Sequence, residues 1–332
     1  MDFYGTLGTA CWDKERTYRL FRAGMTGARL NLSHTTLKEC DEILKGNYWP
    51  AADKAGVSAR LIVDLQGPEL RVGQLERAVK LEEGSEVLLG DGGIPVPEQV
   101  CAATGAGHHI SLDDSALLLE VTEEGNPLRC KVLRGGVLES RKSLAVLGVE
   151  IDAPTLTQQD LENLRQGARY GVTDVLQPFV RGREDIRILR RTLKECGLEQ
   201  VRIMAKIENQ RGLDHLEEIV EEADVICIAR GDLGNSMPLW QLPSAQKRIA
   251  RCCREKNRSF FVVTQLLWSM GERAVPTRAE VSDIYNAVLD GADALMLTGE
   301  TAVGKYPVEA MEYLVKTALC GVQDLEAGLF EK

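Results

Sequence analysis

The stretch "VRIMAKIENQRGLDHLEEIVEEADVICIARG", residues 201–231, reads as strand, helix, strand. "VRIMAKIE" and "DVICIARG" are short apolar runs, and "LDHLEEIVEEA" between them has the spacing of a helix. Strands joined through a helix run parallel, and such apolar strands are buried on both faces. The first run nevertheless finishes on a cation and an anion, Lys206 and Glu208. Residues two apart in a strand point to the same side, so this pair faces one space. Either the two neutralise each other, or they hold something between them.

The same unit recurs along the chain. Further runs are "YGTLG" (4–8), "ARLNLS" (28–33), "RLIVDL" (60–65), "TDVLQPF" (173–179), "SFFVVTQ" (259–265) and "ALMLTGE" (294–300), which brings the strands to eight. Helical segments such as "TLTQQDLENLRQGARYG" and "GREDIRILRRTLKECG" lie between most of them. Eight alternating units predict an α/β fold of the closed (β/α)8 TIM-barrel type. An open, doubly wound sheet is the alternative. The rhythm breaks once, after the third strand. "RAVKLEEGSEVLLGDGGIPV", "HHISLDDSALLLEVTEEG" and "NPLRCKVLRGGVLESRK" have β character and are punctuated by turn pairs. A small all-β domain is therefore expected over residues 73–148, inserted into a barrel made of 1–72 and 149–332.

Composition narrows the function. The chain has 332 residues, 44% of them apolar, and a net charge of −10. That charge disfavours nucleic acid and anionic membranes, while a locally basic pocket could still take phosphates. Nine scattered cysteines without a C-x-x-C pattern read as free thiols of a reducing compartment. The four histidines have no zinc-ligand spacing, and no signal segment or run of 18 apolar residues is present. The expected address is the cytoplasm.

Active sites of such barrels form at the C-terminal ends of the strands. Polar groups gather at the same end of at least five strands here. Arg29, Asn31 and Ser33 alternate on one side of the second, and Asp64 closes the third. Lys206 and Glu208 close the fifth, Gly231 and Asp232 follow the sixth, Thr264 ends the seventh, and Thr298 and Glu300 end the eighth. Glu208 and Asp232 form a hard-oxygen pair suited to Mg2+ (or Mn2+). Asn31, Ser33 and Asp64 offer oxygens with a single charge, which suits a large monovalent cation. Arg29 and Lys206 supply positive charge for a phosphoryl group. Gly231 lets a carboxylate approach backbone N–H groups.

The segments "AGMTGARLNLSHT", "DLQGPELRVG", "IMAKIENQRGLDHLEEI", "ARGDLG" and "PTRAEVSDIYNAVLDGADALMLTGETAVGKYPVEA" together resemble the pyruvate kinases, in order and spacing. The likeness extends over nearly the whole chain, including the insertion, whose "LDDSALLLEV" and "GGVLESRK" resemble the family's lid domain. It implies phosphoryl transfer from phosphoenolpyruvate to ADP, giving pyruvate and ATP, with Mg2+ and K+ as cofactors. By resemblance Glu208 and Asp232 hold Mg2+. Asn31, Ser33, Asp64 and the Leu65 carbonyl hold K+, and Glu69 keeps the Glu that goes with K+ dependence. Lys206 and Arg29 stabilise the phosphoryl group. Thr264 lies near the enolate carbon, with Gly231 and Asp232 in the substrate site. Thr298 and Glu300 belong to a proton path, and Arg29, His34, Arg71 and Lys142 lie toward the nucleotide. A homodimer is the expected assembly.

The sequence also departs from the family pattern. "TLGTAC" replaces "TIGPAS", Gln66 replaces a Lys, Pro178 replaces a Ser and Trp268 replaces a Glu. The family's usual C-terminal domain does not follow residue 332, so no sugar-phosphate activation through it is expected. Two alternatives stand beside the kinase: a Mg2+-dependent lyase or aldolase using an enolpyruvate-like intermediate, and a non-catalytic ligand-binding relative.

Overall fold

The computed structural model describes residues 1–113, 116–149, 151 and 154–329. The chain forms two compact units, Met1–Gly67 with Thr155–Lys332, and Pro68–Pro154.

The first unit is a closed barrel of eight parallel strands. They are β1 (Asp2–Thr6), β2 (Gly27–Asn31), β3 (Arg60–Asp64), β4 (Asp174–Gln177), β5 (Arg202–Ile207), β6 (Val225–Ala229), β7 (Ser259–Val263) and β8 (Ala294–Met296). Each pairs with the next in sequence, and β8 closes onto β1 through Tyr4↔Met296. Helices follow the strands, among them Arg183–Glu195, Leu242–Glu255, Arg278–Leu289 and Pro307–Glu326. Side-chain alternation sorts the strand residues into two apolar clusters. Ala28, Leu61, Val63, Val175, Ile203, Ile226, Ile228, Val262 and Leu295 pack with the helices. Tyr4, Ile62, Leu176, Met204, Cys227, Phe261 and Met296 form the inner cluster, with Tyr4 and Phe261 meeting edge to face at 6.0 Å. Continuing the inner rows upward reaches Thr6, Arg29, Asp64 and Lys206, so the strand pleat aims these polar groups at one mouth.

Two expected strand ends are not strand. Arg230–Asn235 and Gly299–Ala302 are short helices. Pairing stops at Ala229↔Val263 and at Val263↔Met296. Past that point a backbone without a ladder partner must bond elsewhere, and a helical turn supplies the bonds locally. The β7 run stops at Val263 because Thr264 and Gln265 take left-handed backbone, φ 78° and 56°.

The second unit holds a five-stranded antiparallel sheet in the order Leu144–Val146, His109–Leu112, Leu117–Glu123, Leu128–Arg134, Glu86–Leu89. Val79–Leu81 pairs separately with Gly136–Leu138. Its core includes Leu89, Ile110, Leu119, Val121 and Val132. One short helix, Glu98–Ala103, accompanies the strands; at six residues it is too brief to give a periodic signal.

Candidate active site

Lys206 is the centre of the mouth. Its Nζ lies 2.7 Å from Glu208 Oε1 and 3.5 Å from Asp64 Oδ2. Asp64 Oδ2 also takes the Arg29 guanidinium, Nε at 2.8 Å and a second nitrogen at 2.6 Å. The β2–β3 register makes this meeting possible, since Arg29 pairs with Ile62 and Asn31 with Asp64. Burial opposes charge on Lys206, yet Asp64, Glu208 and Asp232 outweigh it and raise its pKa above the ordinary lysine value. Burial pushes the Glu208 carboxyl up, Lys206 at 2.7 Å draws it back toward the ionised form, and Asp232 adds to the rise. The charge of Asp232, at the start of the Arg230–Asn235 helix, thus acts on both members of the pair.

Glu208 Oε2 accepts from the Phe179 backbone N–H at 2.8 Å. Phe179 presents that N–H from left-handed backbone at φ 52°, sparsely populated for a bulky residue. The residue before it, Pro178, stacks on Gly67, where an added Cβ would fall 2.4 Å from Pro178 Cγ. Gly67 and Gln66 in turn donate their backbone N–H groups to Asp160, at 3.0 and 2.8 Å. Asp160 is fully buried and completes a capping box with Thr157 at the Gln158–Leu164 helix. One helix start thereby anchors the loop that carries Leu65 and Gln66.

On the opposite wall, Gly231 faces Thr264: a Cβ there would lie 3.1 Å from the Thr264 methyl. Arg230 donates to the Thr264 carbonyl at 2.7 Å and grips both oxygens of Asp283, at 2.8 and 2.7 Å. Glu300 is buried and accepts from Leu267 N, Thr298 N and Thr298 Oγ1.

The donor set for cations is made of hard oxygens. Asp64 Oδ1 is buried and takes no hydrogen bond from a described residue. Glu208 Oε1 meets Lys206 as an ion pair but without hydrogen-bond alignment. Asn31 Oδ1 accepts from Ser33 N at 3.2 Å, which folds the two residues together past the end of β2. No cluster of three or more His, Cys, Asp or Glu side chains suited to a metal exists among the described residues. A site using two carboxylates, Glu208 and Asp232, completed by water and substrate, is compatible with that.

Three further residues singled out from the sequence are His34, Arg71 and Lys142. His34 is exposed in the turn after β2. Arg71 and Lys142 belong to the second unit. Arg71 bonds Glu69 at 2.5 Å and the Arg141 carbonyl at 2.8 Å, and Lys142 pairs with Asp113 at 2.9 Å. Sequence reasoning did not single out Asp160, Arg230 or the Phe179 N–H. "TQQD" at 157–160 is a visible capping signal, but nothing local shows what else its carboxylate holds.

A family model described as pyruvate kinase, barrel domain, matches residues 2–311. The chain belongs to the pyruvate kinase family. A pyruvate kinase of Aeropyrum pernix is 39% identical across 94% of this chain and 68% of its own length. One from Geobacillus stearothermophilus is 36% identical across 97% of this chain and 57% of its own, and one from Mycobacterium tuberculosis is 36% identical across 96% and 69%. The chain thus spans little more than half of the Geobacillus relative and about two thirds of the other two. No helix among the described residues is long and apolar enough to cross a membrane.

Proposed function

We propose that this chain transfers a phosphoryl group between phosphoenolpyruvate and ADP, yielding pyruvate and ATP. The observation that carries the reading is Lys206, held charged by Asp64, Glu208 and Asp232 beside Arg29. A fixed cation in a desolvated mouth stabilises charge on a transferring phosphoryl group and needs no reorganisation as the charge moves. Arg29, anchored on Asp64, offers a second cation of fixed direction. Gly231, without a side chain, leaves the backbone open to the substrate carboxylate, and Thr264, its neighbour across the mouth, is assigned to the side of the enol carbon that takes the proton.

In this reading Glu208 and Asp232 hold Mg2+ or Mn2+, and Asn31, Ser33, Asp64 and the Leu65 carbonyl hold K+. When bound, these cations supply electrophilic polarisation and charge neutralisation around the phosphoryl and enolate oxygens. His34, Arg71 and Lys142 are assigned to the nucleotide, residues 73–148 to a lid domain, the protein to the cytoplasm, and the assembly to a homodimer. A coupled assay with phosphoenolpyruvate, ADP, Mg2+ and K+ tests the activity against Lys206→Met. Turnover at least about 100-fold above that variant is expected; equal rates would reject the reading.

A further inference from the structure

Glu300 sits where a proton path was expected, but its surroundings are those of a clasp. It is 1% exposed. Oε1 accepts from Leu267 N at 3.1 Å; Oε2 accepts from Thr298 N at 2.8 Å and Thr298 Oγ1 at 3.3 Å. One carboxylate therefore ties the loop after β7 to the loop after β8. A second carboxylate continues the same seam. Glu280, in the capping box of Arg278–Leu289, accepts from Ser269 N at 2.7 Å and Ser269 Oγ at 2.6 Å. Trp268 lies between the two held amides, 64% exposed, with its ring against Gly299. The Lys305 N–H closes the seam on the Gly271 carbonyl at 2.8 Å.

From this geometry we infer that Glu300 is a positioning residue, not a proton carrier. Both of its oxygens are taken by donors, and it sets the register of Thr264 and the Thr298 hydroxyl in the mouth. A proton taken up on Oε1 would face only the Leu267 N–H, which cannot accept it, and one taken up on Oε2 would weaken the Thr298 N–H bond with only Thr298 Oγ1 to receive it. The inference rests on the proposed kinase reading for its effect on turnover, while the clasp itself can be measured without any reaction.

The test uses Glu300→Gln, nearly isosteric, and Glu300→Ala, each with and without Trp268→Phe to isolate the emission of that indole. Glutamine turns an NH2 toward one of the donors, so the seam opens in both variants. The expected result has three parts. The Trp268 emission and its acrylamide quenching change. The Leu267 and Thr298 amides exchange with solvent faster than in wild type. The kcat falls on the order of 100-fold, with KM for phosphoenolpyruvate and ADP changed much less, as for a misplacement near 1 Å. Unchanged Trp268 emission with lost exchange of pyruvate methyl protons would overturn the inference in favour of proton transfer. An altered seam with unaltered kcat would overturn it as well. If neither variant folds, the wild-type amides decide, since rapid exchange at Leu267 and Thr298 would exclude the clasp. A wild-type chain that turns over no phosphoenolpyruvate would end the kinase reading, and the Trp268 and amide data would still report on the clasp.

Discussion

Asp64 takes both cations of the mouth on a single oxygen, with Lys206 at 3.5 Å and an Arg29 nitrogen at 2.6 Å. Removing its charge leaves two buried cations without their shared anion, which is costlier than removing the whole set. Asp64→Asn is expected to lower stability by about 3 kcal/mol in urea unfolding; a loss under ~0.5 kcal/mol would show that water already screens these charges. That Lys206 and Glu208 share one space was legible in the sequence, because the strand period is a strict two. The part played by Phe179 was not. Its contribution is a backbone N–H on an unusual φ, and no side-chain code announces either.

The loops are built from contacts between distant elements. Gly67 takes φ 60° and lies under the Pro178 ring, so alanine there meets both a conformational and a steric penalty. Gly67→Ala is expected to cost about 2 kcal/mol and lower the melting temperature. Adding Pro178→Ala should recover part of that loss by freeing the space, a coupling that a double-mutant cycle reads out. At the start of the Arg183–Glu195 helix, Asp185 accepts from Thr155 Oγ1 at 2.6 Å and from Arg181. Burial alone would raise its pKa, but the Arg181 and Thr155 hydrogen bonds lower it below the ordinary carboxylate value. A depressed folded pKa gives stability that is present above the unfolded value of about 3.9 and lost as pH falls through the folded one. The difference in urea midpoint between wild type and Asp185→Asn should therefore be full near pH 6 and shrink toward pH 3. A constant difference would refute this account. The eight barrel strands were readable because each is a short apolar run, but their ends were read too far at Arg230–Asn235 and Gly299–Ala302. A residue string carries no mark of where a neighbour's ladder stops.

Each unit has a core of its own, two apolar clusters inside and around the barrel and one in the second unit. Leu119→Ala removes a fully buried side chain from the second core. It is expected to cost about 2–5 kcal/mol, seen as amide protection lost across residues 79–146 in hydrogen exchange. Protection lost instead along the barrel strands would show that the cores are not separate. Sequence reading could reach the barrel and its insertion because both rest on periodicity. It could not reach the clasps of Asp160 and Glu300, which join residues 94 and 33 positions apart along the chain. The pairing of β8 with β1 belongs to this second kind, with Ala294 opposite Asp2. It also sets a timetable for synthesis. One flank of the first strand must wait for its mate until nearly the whole barrel has been translated, on the order of 15–60 s at ribosomal speed. During that interval the nascent protein carries an open seam, and guarding it against a neighbour's unmatched strand falls to the cell.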